Sequence, residues 1–292
     1  MIRNIKSLTC VIMMAGVVAS CSDINDEPDN GMTPITFYCS HPSQSRATDT
    51  SFEKNDEVGL FMANEGSLLE IAGNALNNER LTYTGSGWNA GRKLFWDKGI
   101  YNVYAYYPRL DDISSISDLP FKVAADQRDT NDGRMDGYET SDFLHAAAYG
   151  IQSSPDPVNL QFSHIMSKLT VRLIKGEDFE GDIPENATVF IHNTVTDATI
   201  DLTAGVATRN ARATGRTITA RQAGPTSYTA IIVPQRLANR VPLIEVMMNG
   251  VSFLYESKFL FKPGMHHIVN LVVDKNPDQV KIEIGGEITD WN

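Results

Sequence analysis

The chain has 292 residues, 42% of them hydrophobic, and carries 36 acidic and 25 basic side chains, a formal net charge of −11. An acidic chain repels nucleic acid and anionic lipid, so this charge argues against either as a partner. The length predicts about two domains of ordinary size.

The N-terminus has the order of a secretory signal. Arg3 and Lys6 precede an apolar stretch from Leu8 to Val18, and a charged segment followed by an apolar one is typical of secreted proteins. The apolar stretch is well short of the roughly 20 residues that a membrane-spanning helix needs. We therefore predict that residues 1–20 are a signal peptide that is removed.

A cysteine follows the apolar stretch directly. The small residues Val18, Ala19 and Ser20 precede Cys21, an order that resembles the lipobox of bacterial lipoproteins, in which the cysteine is acylated and becomes the mature N-terminus. Two or more acyl chains anchor a protein stably, whereas one chain does so only reversibly. The sequence predicts lipidation at Cys21; the alternative is an ordinary signal in which Cys21 has no role.

Residues 21–46 are predicted to be an acidic linker followed by a first strand. The linker begins SDINDEPDN, which resembles the acid-rich surface-export signal of lipoproteins from Bacteroidetes-type bacteria, although a solvated linker has a similar composition. Cys10 lies in the signal and Cys21 is the lipidation site. Because only Cys39 then remains, we expect no internal disulfide.

The rest of the chain predicts an all-β, sandwich-like fold, because short β-branched and aromatic stretches alternate with Gly, Pro, Asn and Asp. The candidate strands are Ile35–Cys39, Val58–Met62, Leu81–Thr84, Leu94–Trp96, Tyr101–Tyr107, Val158–Phe162, Leu169–Ile174, Thr188–His192, Ile200–Thr203, Thr217–Arg221 and Tyr228–Val233. A short helix is predicted over Leu68–Leu76, with apolar residues on one face.

Two turns near the C-terminus have clear local signals. Asn249 and Gly250 separate two apolar stretches in LIEVMMNGVSFLY, and Asn-Gly favours the tight type I′ turn of a β-hairpin. Pro263 and Gly264 predict a second turn, which leads into the strand HHIVNLVV.

Two predicted loops divide the chain. Residues 108–142 are rich in Asp, Ser and Gly, and residues 150–157 form a connector that contains two prolines. A boundary near residue 163 follows, which gives an N-terminal β-sandwich over residues 47–162 and a C-terminal one over residues 163–292.

The sequence has no motif of a known catalytic class: no GxSxG elbow, HExxH, CxxC pair, Walker loop or dinucleotide turn. His266 and His267 are adjacent, and neighbours in a strand point to opposite faces, so they are not expected to share a metal ion. Asp129, Asn131 and Gly133 resemble the start of a calcium loop. Position six of that loop would be Arg134 instead of glycine, and position twelve would be Thr140 instead of glutamate. We therefore predict no enzyme activity, no cofactor and no metal.

Two surface features have alternative interpretations. Four arginines, Arg209, Arg212, Arg216 and Arg221, could bind an acidic partner, although the solvent-facing side of a hairpin is the favoured interpretation. Aromatic residues could stack on sugars, although alternating aromatics in a strand more often pack in a core. These aromatic residues are Trp88, Trp96, Tyr104, Tyr106 and Tyr107.

Six motifs in order along the chain resemble the fimbrillin family, the type V pilins of Gram-negative anaerobes. They are SRATDTSFEKNDEVGLFM, YNVYAYYP, SDFLHAAA, QFSHIMSKLTVRL, FKPGMHHIVNLVV and ITDWN. The resemblance implies two tandem transthyretin-like β-sandwiches, export as an outer-membrane lipoprotein, trimming by an arginine-specific protease, and polymerisation with other fimbrial subunits by strand exchange. It also implies adhesion to a host or bacterial surface, but it does not distinguish stalk, tip and anchor subunits.

The implied cleavage lies between Arg46 and Ala47, in the turn-like segment HPSQSRATDTS. An exposed backbone of this kind is readily cut. Arg212 also precedes Ala-Thr, so the local sequence alone does not decide the site, and a chain that stays uncut is the alternative.

The resemblance implies strand exchange without fixing the donor segment, and the residues at both ends of the mature chain predict which segments take part. Cleavage would remove the strand ITFYC, which places Ile35, Phe37 and Cys39 on one face. The candidate donor residues lie in the tail QVKIEIGGEITDW and are Val280, Ile282, Ile284 and Ile288. The alternative is that this tail completes its own C-terminal sandwich. The rival function is a non-polymerising surface lipoprotein that binds glycans through Trp88 and Trp96.

Overall fold

The computed structural model describes residues 32–42, 51–130, 135–275, 281–282 and 288–291, and its regular structure is almost entirely β. One 3₁₀ turn covers Glu139–Ser141. The strands are β1 Phe37–Ser40, β2 Glu57–Asn64, β3 Leu76–Tyr83, β4 Trp88–Ala90, β5 Ile100–Tyr107, β6 Leu119–Lys122, β7 Leu144–Gln152, β8 Val158–Gln161, β9 Ser163–His164, β10 Ser167–Lys175, β11 Thr188–Thr194, β12 Asp197–Asp201, β13 Val206–Arg209, β14 Arg216–Thr219, β15 Arg221–Gly224, β16 Ser227–Ile232, β17 Gln235–Met248, β18 Val251–Phe261, β19 Met265–Val273, β20 Lys281–Ile282 and β21 Ile288–Asp290. The predicted all-β class is confirmed.

The strands form five sheets. Two have six strands, in the orders β4-β3-β2-β5-β7-β9 and β15-β16-β10-β19-β20, and β21 also pairs with β19. The others have the orders β14-β11-β17-β18, β13-β12-β6 and β1-β8. Most pairs are antiparallel, but β1 runs parallel to β8 and β10 runs parallel to β19.

The first six-stranded sheet is buried on both faces. On β2, Val58 and Leu60 pack in a smaller core drawn from residues 35–162, whereas Phe61 packs in a larger core drawn from both halves of the chain. Alternate residues of β5 divide in the same way, with Val103 in the smaller core and Tyr104 in the larger one. Because side chains alternate across a strand, a sheet buried on both faces gives continuous apolar runs such as VGLFMA.

Contacts cross the boundary expected near residue 163. Strand β6, from the N-terminal half, pairs with β12, and β9 pairs with β7. The imidazole of His145 also lies 2.8 Å from the carbonyl oxygen of Leu202 through its Nε2. The division into domains at residues 47–162 and 163–292 stays a prediction.

The hairpin at Asn249 and Gly250 is confirmed. Their φ angles are 51° and 75°, and Met248 pairs with Val251 directly across the two-residue turn. Two successive positive φ angles define the type I′ turn that the Asn-Gly sequence favours. The second predicted turn, at Pro263 and Gly264, is also present and leads into β19.

Replacing Gly250 with Val is expected to destabilise the protein by about 1 to 3 kcal/mol, because a β-branched side chain is strained at positive φ. The control is Gly91→Val, at a glycine with open space around an added Cβ and no positive φ. It should change stability by less than about 0.5 kcal/mol. Thermal denaturation of both variants measures the difference, and equal melting temperatures would contradict the turn assignment.

The helix predicted over Leu68–Leu76 is wrong. Residues 68–75 are irregular and β3 begins at Leu76. The side chain of Asn74 donates to the carbonyl oxygen of Glu70 at 2.6 Å, and its backbone N–H donates to Asn77 Oδ1 at 3.0 Å. Such side-chain bonds compete with helical backbone bonds, and Gly73 at φ 92° is also incompatible with a helix.

Other element predictions need correction. The predicted loop over residues 108–142 contains β6 and the 3₁₀ turn, and β7 extends to Gln152, into the connector predicted over residues 150–157. Strands β4, β7, β9, β13 and β15 were not predicted. Leu94–Trp96 is not a strand, because only Phe95 makes an isolated bridge, to Pro34. In the part of the chain described here, no helix is long and apolar enough to span a bilayer.

Candidate assembly site

The N-terminal segment Thr33–Ser40 lies between two neighbouring parts of the chain. On one side β1 pairs in parallel with β8, with Phe37 opposite Val158 and Cys39 opposite Leu160. On the other side the N–H of Ile35 donates to the carbonyl oxygen of Leu94, and the N–H of Trp96 donates to that of Thr33, both at 2.9 Å. The segment is therefore held by backbone hydrogen bonds on both edges.

The side chains of this segment alternate as the sequence predicts. Ile35 and Phe37 are each 7% exposed and Cys39 is 5% exposed, whereas Tyr38 between them is 58% exposed. The three buried side chains belong to the smaller core. Full burial of a side chain such as Ile or Phe contributes about 1.5 to 3 kcal/mol, so this short segment stabilises the core substantially.

An aromatic cluster around Phe52 covers the end of the segment. The Phe52 ring lies 5.1 Å from the ring of His41, 4.9 Å from that of Trp88 and 5.5 Å from that of Phe162, each in an edge-to-face arrangement. The indole N–H of Trp88 donates to the carbonyl oxygen of Cys39 at 3.2 Å. The cluster thus contacts Cys39 and His41, a few positions before the predicted cleavage site.

Cys39 is a packing residue of this site. Burial raises the pKa of its thiol to about 12, so the side chain stays protonated at neutral pH. A protonated, buried thiol is a poor nucleophile and a poor metal ligand. The small side chain instead fills space beside β8.

The two tryptophans proposed as a sugar platform are used within the fold. Trp96 is 6% exposed and its indole N–H donates to the carbonyl oxygen of Ser154 at 3.0 Å. Trp88 is half-buried, between Phe52 and Tyr83, and its N–H bonds Cys39 as described above. An exposed stacking platform at Trp88 and Trp96 is therefore wrong. Tyr104 and Tyr106 are likewise buried.

Several predicted sites lie outside the described residues. They are the lipidation site Cys21, the cleavage site at Arg46 and Ala47, and the donor candidates Val280 and Ile284. Asn131 and Gly133, for which no calcium site is predicted, also lie outside the described residues. These assignments stay predictions.

The described strands of the C-terminal tail, β20 and β21, lie along the edge of the second six-stranded sheet. Ile282 in β20 pairs with Leu271, and Thr289 in β21 pairs with His266, so both short strands run antiparallel to β19. Ile288 is 53% exposed. The tail therefore completes its own sheet in this conformation, which was the alternative interpretation; its use as a donor strand in a polymer stays a prediction.

Trp291 fixes the end of the tail. Its side chain is 3% exposed, and its ring stacks on that of His164 with centroids 3.7 Å apart and an interplanar angle of 6°. Its backbone N–H donates to the carbonyl oxygen of Gly264 at 3.0 Å. The ammonium group of Lys168 lies 5.5 Å from the centre of the same indole.

His164 brings the two ends of the site together. Its Nδ1 lies 2.9 Å from Asp142 Oδ1, and its ring lies 5.7 Å from the ring of His41, edge to face. His41 directly follows β1, and Trp291 lies in the tail, so one buried imidazole contacts both segments that we predict to take part in strand exchange. The sequence does not reveal this contact, because the three residues are distant in the chain.

The remaining histidines are bound within the sheets. His266 Nε2 lies 2.8 Å from Thr170 Oγ1, and His267 Nε2 accepts a hydrogen bond from the Lys262 N–H. Burial lowers the pKa of both imidazoles to about 4, so both are neutral at physiological pH. His192 lies between Thr217 Oγ1 at 2.9 Å and Glu245 Oε2 at 2.8 Å.

The four arginines of residues 209–221 differ in exposure and in their neighbours. Arg209 and Arg212 are exposed, and Arg216 lies 4.0 Å from Asp197. Arg221 is partly buried, 3.9 Å from Asp136, with its guanidinium 5.2 Å from the centre of the Tyr138 ring. A role for Arg221 in packing is therefore clear, and the solvent-facing interpretation fits Arg209 and Arg212.

Comparison with known proteins identifies the family. The sequence profile of the fimbrillin-like family matches residues 45–291. A Bacteroides ovatus protein assigned as the fimbrium tip subunit Fim1C is 27% identical over 177 residues. This alignment covers 53% of the present chain but only 32% of that relative.

Solved structures share the fold. A protein from Bacteroides ovatus assigned to cell adhesion has a TM-score of 0.69 at 20% identity, and the match covers 89% of this chain and 98% of that one. A second cell adhesion protein, from Bacteroides uniformis, gives 0.68 at 18% identity, with 91% and 100% coverage. The tip fimbrial protein Mfa3 from Porphyromonas gingivalis gives 0.51 at 8% identity, with 82% and 95% coverage. With a family match that spans most of its length, this chain belongs to the fimbrillin-like family.

Proposed function

We propose that the protein is a fimbrial subunit that supports cell adhesion. It is exported as an outer-membrane lipoprotein, cut after Arg46 by an arginine-specific protease at the cell surface, and assembled with other fimbrial subunits by donor-strand exchange. Membership of the fimbrillin-like family supports the fimbrial role. The assembly mechanism rests on the N-terminal segment.

One observation supports the mechanism: the N-terminal strand packs in an apolar groove and precedes the predicted cleavage site, so a single cut would separate it from the rest of the core. Ile35, Phe37 and Cys39 pack against β8, and the predicted cleavage site follows within a few residues. The family match begins at residue 45, so this strand lies outside the part of the chain that defines the family. A separable strand of this kind supports removal by proteolysis.

Removal of residues up to Arg46 would leave an unstable surface. Val158 and Leu160 on β8, and Trp96 opposite, are each no more than 6% exposed while the segment is in place. Without it, their apolar surface and the backbone groups of β8 would face water. An unpaired strand edge beside an apolar groove is a ready acceptor for another strand.

The N-terminal residue of the protein recovered from fimbriae tests this proposal. We expect Ala47 in sheared fimbriae and lipidated Cys21 in the uncut precursor. In an Arg46→Gln variant the precursor should accumulate and fimbriae should be lost, whereas Arg212→Gln, at the other Arg-Ala-Thr sequence, should assemble normally. Fimbriae whose subunits all begin at Cys21 would contradict cleavage.

Membrane attachment has its own test. In Cys21→Ala the acyl chains have no attachment point, so the protein should leave the membrane fraction or accumulate with its signal peptide uncleaved. Cys10→Ala, within the predicted signal peptide, is the matched control and should leave attachment unchanged. Immunoblots of fractionated cells measure both results, and Cys21→Ala protein that still partitions with membranes after normal signal removal would exclude lipidation there.

A further inference from the structure

A cavity of about 610 Å³ opens beside the start of the N-terminal segment. It is bounded by Ile35, by the end of β2, by residues 73–76, 92–95 and 97–98, and by Tyr101. Sites for small molecules commonly measure about 300 to 1,000 Å³. The cavity is therefore large enough for one or two sugar units.

Hydrogen bonds among its own residues fix the conformation of the loop between β2 and β3, on one side of the cavity. Asn74 bonds the backbone of Glu70 and the side chain of Asn77, as described above, and Asn77 Nδ2 donates back to the Asn74 carbonyl oxygen at 3.1 Å. At Gly73 nothing lies within 4 Å of an added Cβ. This bonding holds one side of the opening in place without a ligand.

The lining combines three kinds of surface. Buried apolar side chains contribute to it, among them Met62 at 3% and Leu94 at 5% exposure, while Phe95 is 45% exposed and offers part of its ring to solvent. The amide of Asn64 supplies a hydrogen-bonding group, whereas the amide of Asn74 is already bonded within the loop. The lining thus has an apolar surface, an accessible aromatic ring and a neutral polar group.

The charged residues of the lining are mostly basic. Arg92 is held by Glu79 at 2.7 Å, which neutralises it in part. Lys93 and Lys98 are exposed and make no ion pair with any residue in the described ranges. Asp97 is the one acidic residue that lines the cavity, and its Oδ1 accepts the Lys98 backbone N–H at 2.7 Å. This excess of positive charge is unusual in a chain of net charge −11.

We propose that this cavity binds an anionic saccharide, such as a glycan that contains a sialic or uronic acid. The Phe95 ring can pack against the C–H face of a sugar ring, the Asn64 amide can bond its hydroxyl groups, and the two lysines can pair with its carboxylate. An acidic peptide would use the charge but not the combination of aromatic ring and amide. The inference rests on the proposed adhesive function for the origin of the ligand, which a host or a bacterial surface could supply.

The site also depends on the strand that fills the groove. Ile35 lines one side of the cavity and belongs to the segment that we propose is removed on cleavage, whereas Asn64, Phe95 and the two lysines follow Ala47 and stay on the cut chain. The binding experiment therefore uses the uncut mature chain, in which Ile35 is present.

Isothermal titration calorimetry with two pairs of probes tests the proposal: 3′-sialyllactose against lactose, and trigalacturonate against galactotriose. We expect at least one acidic probe to bind at least about tenfold more tightly than its neutral counterpart, and added salt to weaken that binding. Lys93→Gln combined with Lys98→Gln should weaken it by about tenfold, and Phe95→Ala should also weaken it. The matched control, Lys122→Gln with Lys258→Gln, should leave the affinity unchanged, and melting temperatures verify that each variant is folded.

Three results would overturn the proposal. They are equal affinity for the acidic and neutral members of both pairs, an unchanged affinity in the folded Lys93 and Lys98 double variant, and binding of the acidic peptide SDINDEPDN without binding of either acidic saccharide. Fimbriae that assemble normally from the double variant would leave the proposed assembly function intact. The two hypotheses can thus fail separately.

Discussion

Replacing Phe37 with Asp is expected to destabilise the uncut protein by more than about 4 kcal/mol and to prevent stable folding of the smaller core. Truncation of a buried Phe alone typically costs about 3 to 5 kcal/mol, and a carboxylate in an apolar site adds the penalty of burying a charge. Phe37 is 7% exposed and packs with Ile35 and Cys39 in this core. Chemical denaturation of the purified, uncut chain measures the loss.

The adjacent residue provides a matched control. Tyr38 lies on the same strand but is 58% exposed, so Tyr38→Asp should change stability by less than about 0.5 kcal/mol. Both variants and the unmodified protein have the same sequence from Ala47 onward, and cleavage after Arg46 should therefore make them behave alike. If the uncut Phe37→Asp variant had the same melting temperature as the unmodified protein, β1 would contribute nothing to the stability of the core.

Features set by a few neighbouring residues were predictable from the sequence. The alternation in ITFYC predicted which side chains of the N-terminal segment are buried, because successive residues of a strand face opposite sides. The Asn249-Gly250 pair predicted a hairpin, because few residue pairs accept two positive φ angles. In both cases the information is local, and the rest of the fold does not override it.

Pairing between distant strands was not predictable in the same way. Strand β6 lies in a stretch rich in Asp and Ser, and its pairing with β12 joins residues that are far apart in the chain. The parallel pairing of β1 with β8 has a similar origin. Local composition indicates whether a segment favours β structure but not which strand it pairs with. Packing against distant strands can also impose β structure on a segment whose composition predicts a loop.

The candidate site shows the same limit. The aromatic residues were evident in the sequence, but whether Trp96 faces solvent or the core depends on neighbours contributed by distant segments, and the structure places it in the core. The stacking of Trp291 on His164 also joins residues more than a hundred positions apart. Six ordered motifs indicated the family and the recurring short β-branched stretches indicated the all-β class, whereas the contacts between the two ends required the fold.

The tail offers the second large effect, on assembly rather than on folding. In the monomer, β20 and β21 pair with β19 at the edge of the sheet, and Trp291 is buried against His164. An edge strand has hydrogen bonds on one side only, so it can leave its sheet with less disruption than a central strand. The sequence VKIEI alternates apolar and charged residues, as a strand that fills an apolar groove should.

Replacing Ile282 and Ile284 together with Asp is therefore expected to abolish polymers while the monomer stays folded. Each substitution would forfeit roughly 2 kcal/mol of apolar burial in the acceptor groove and would place a charge there. The control is Lys281→Ser with Glu283→Ser, which changes the alternate positions of the same strand and should still polymerise. Electron microscopy of fimbriae and size-exclusion chromatography after cleavage measure the outcome. A double Asp variant that unfolds as a monomer would make the tail an internal strand, and one that polymerises normally would place the donor strand elsewhere.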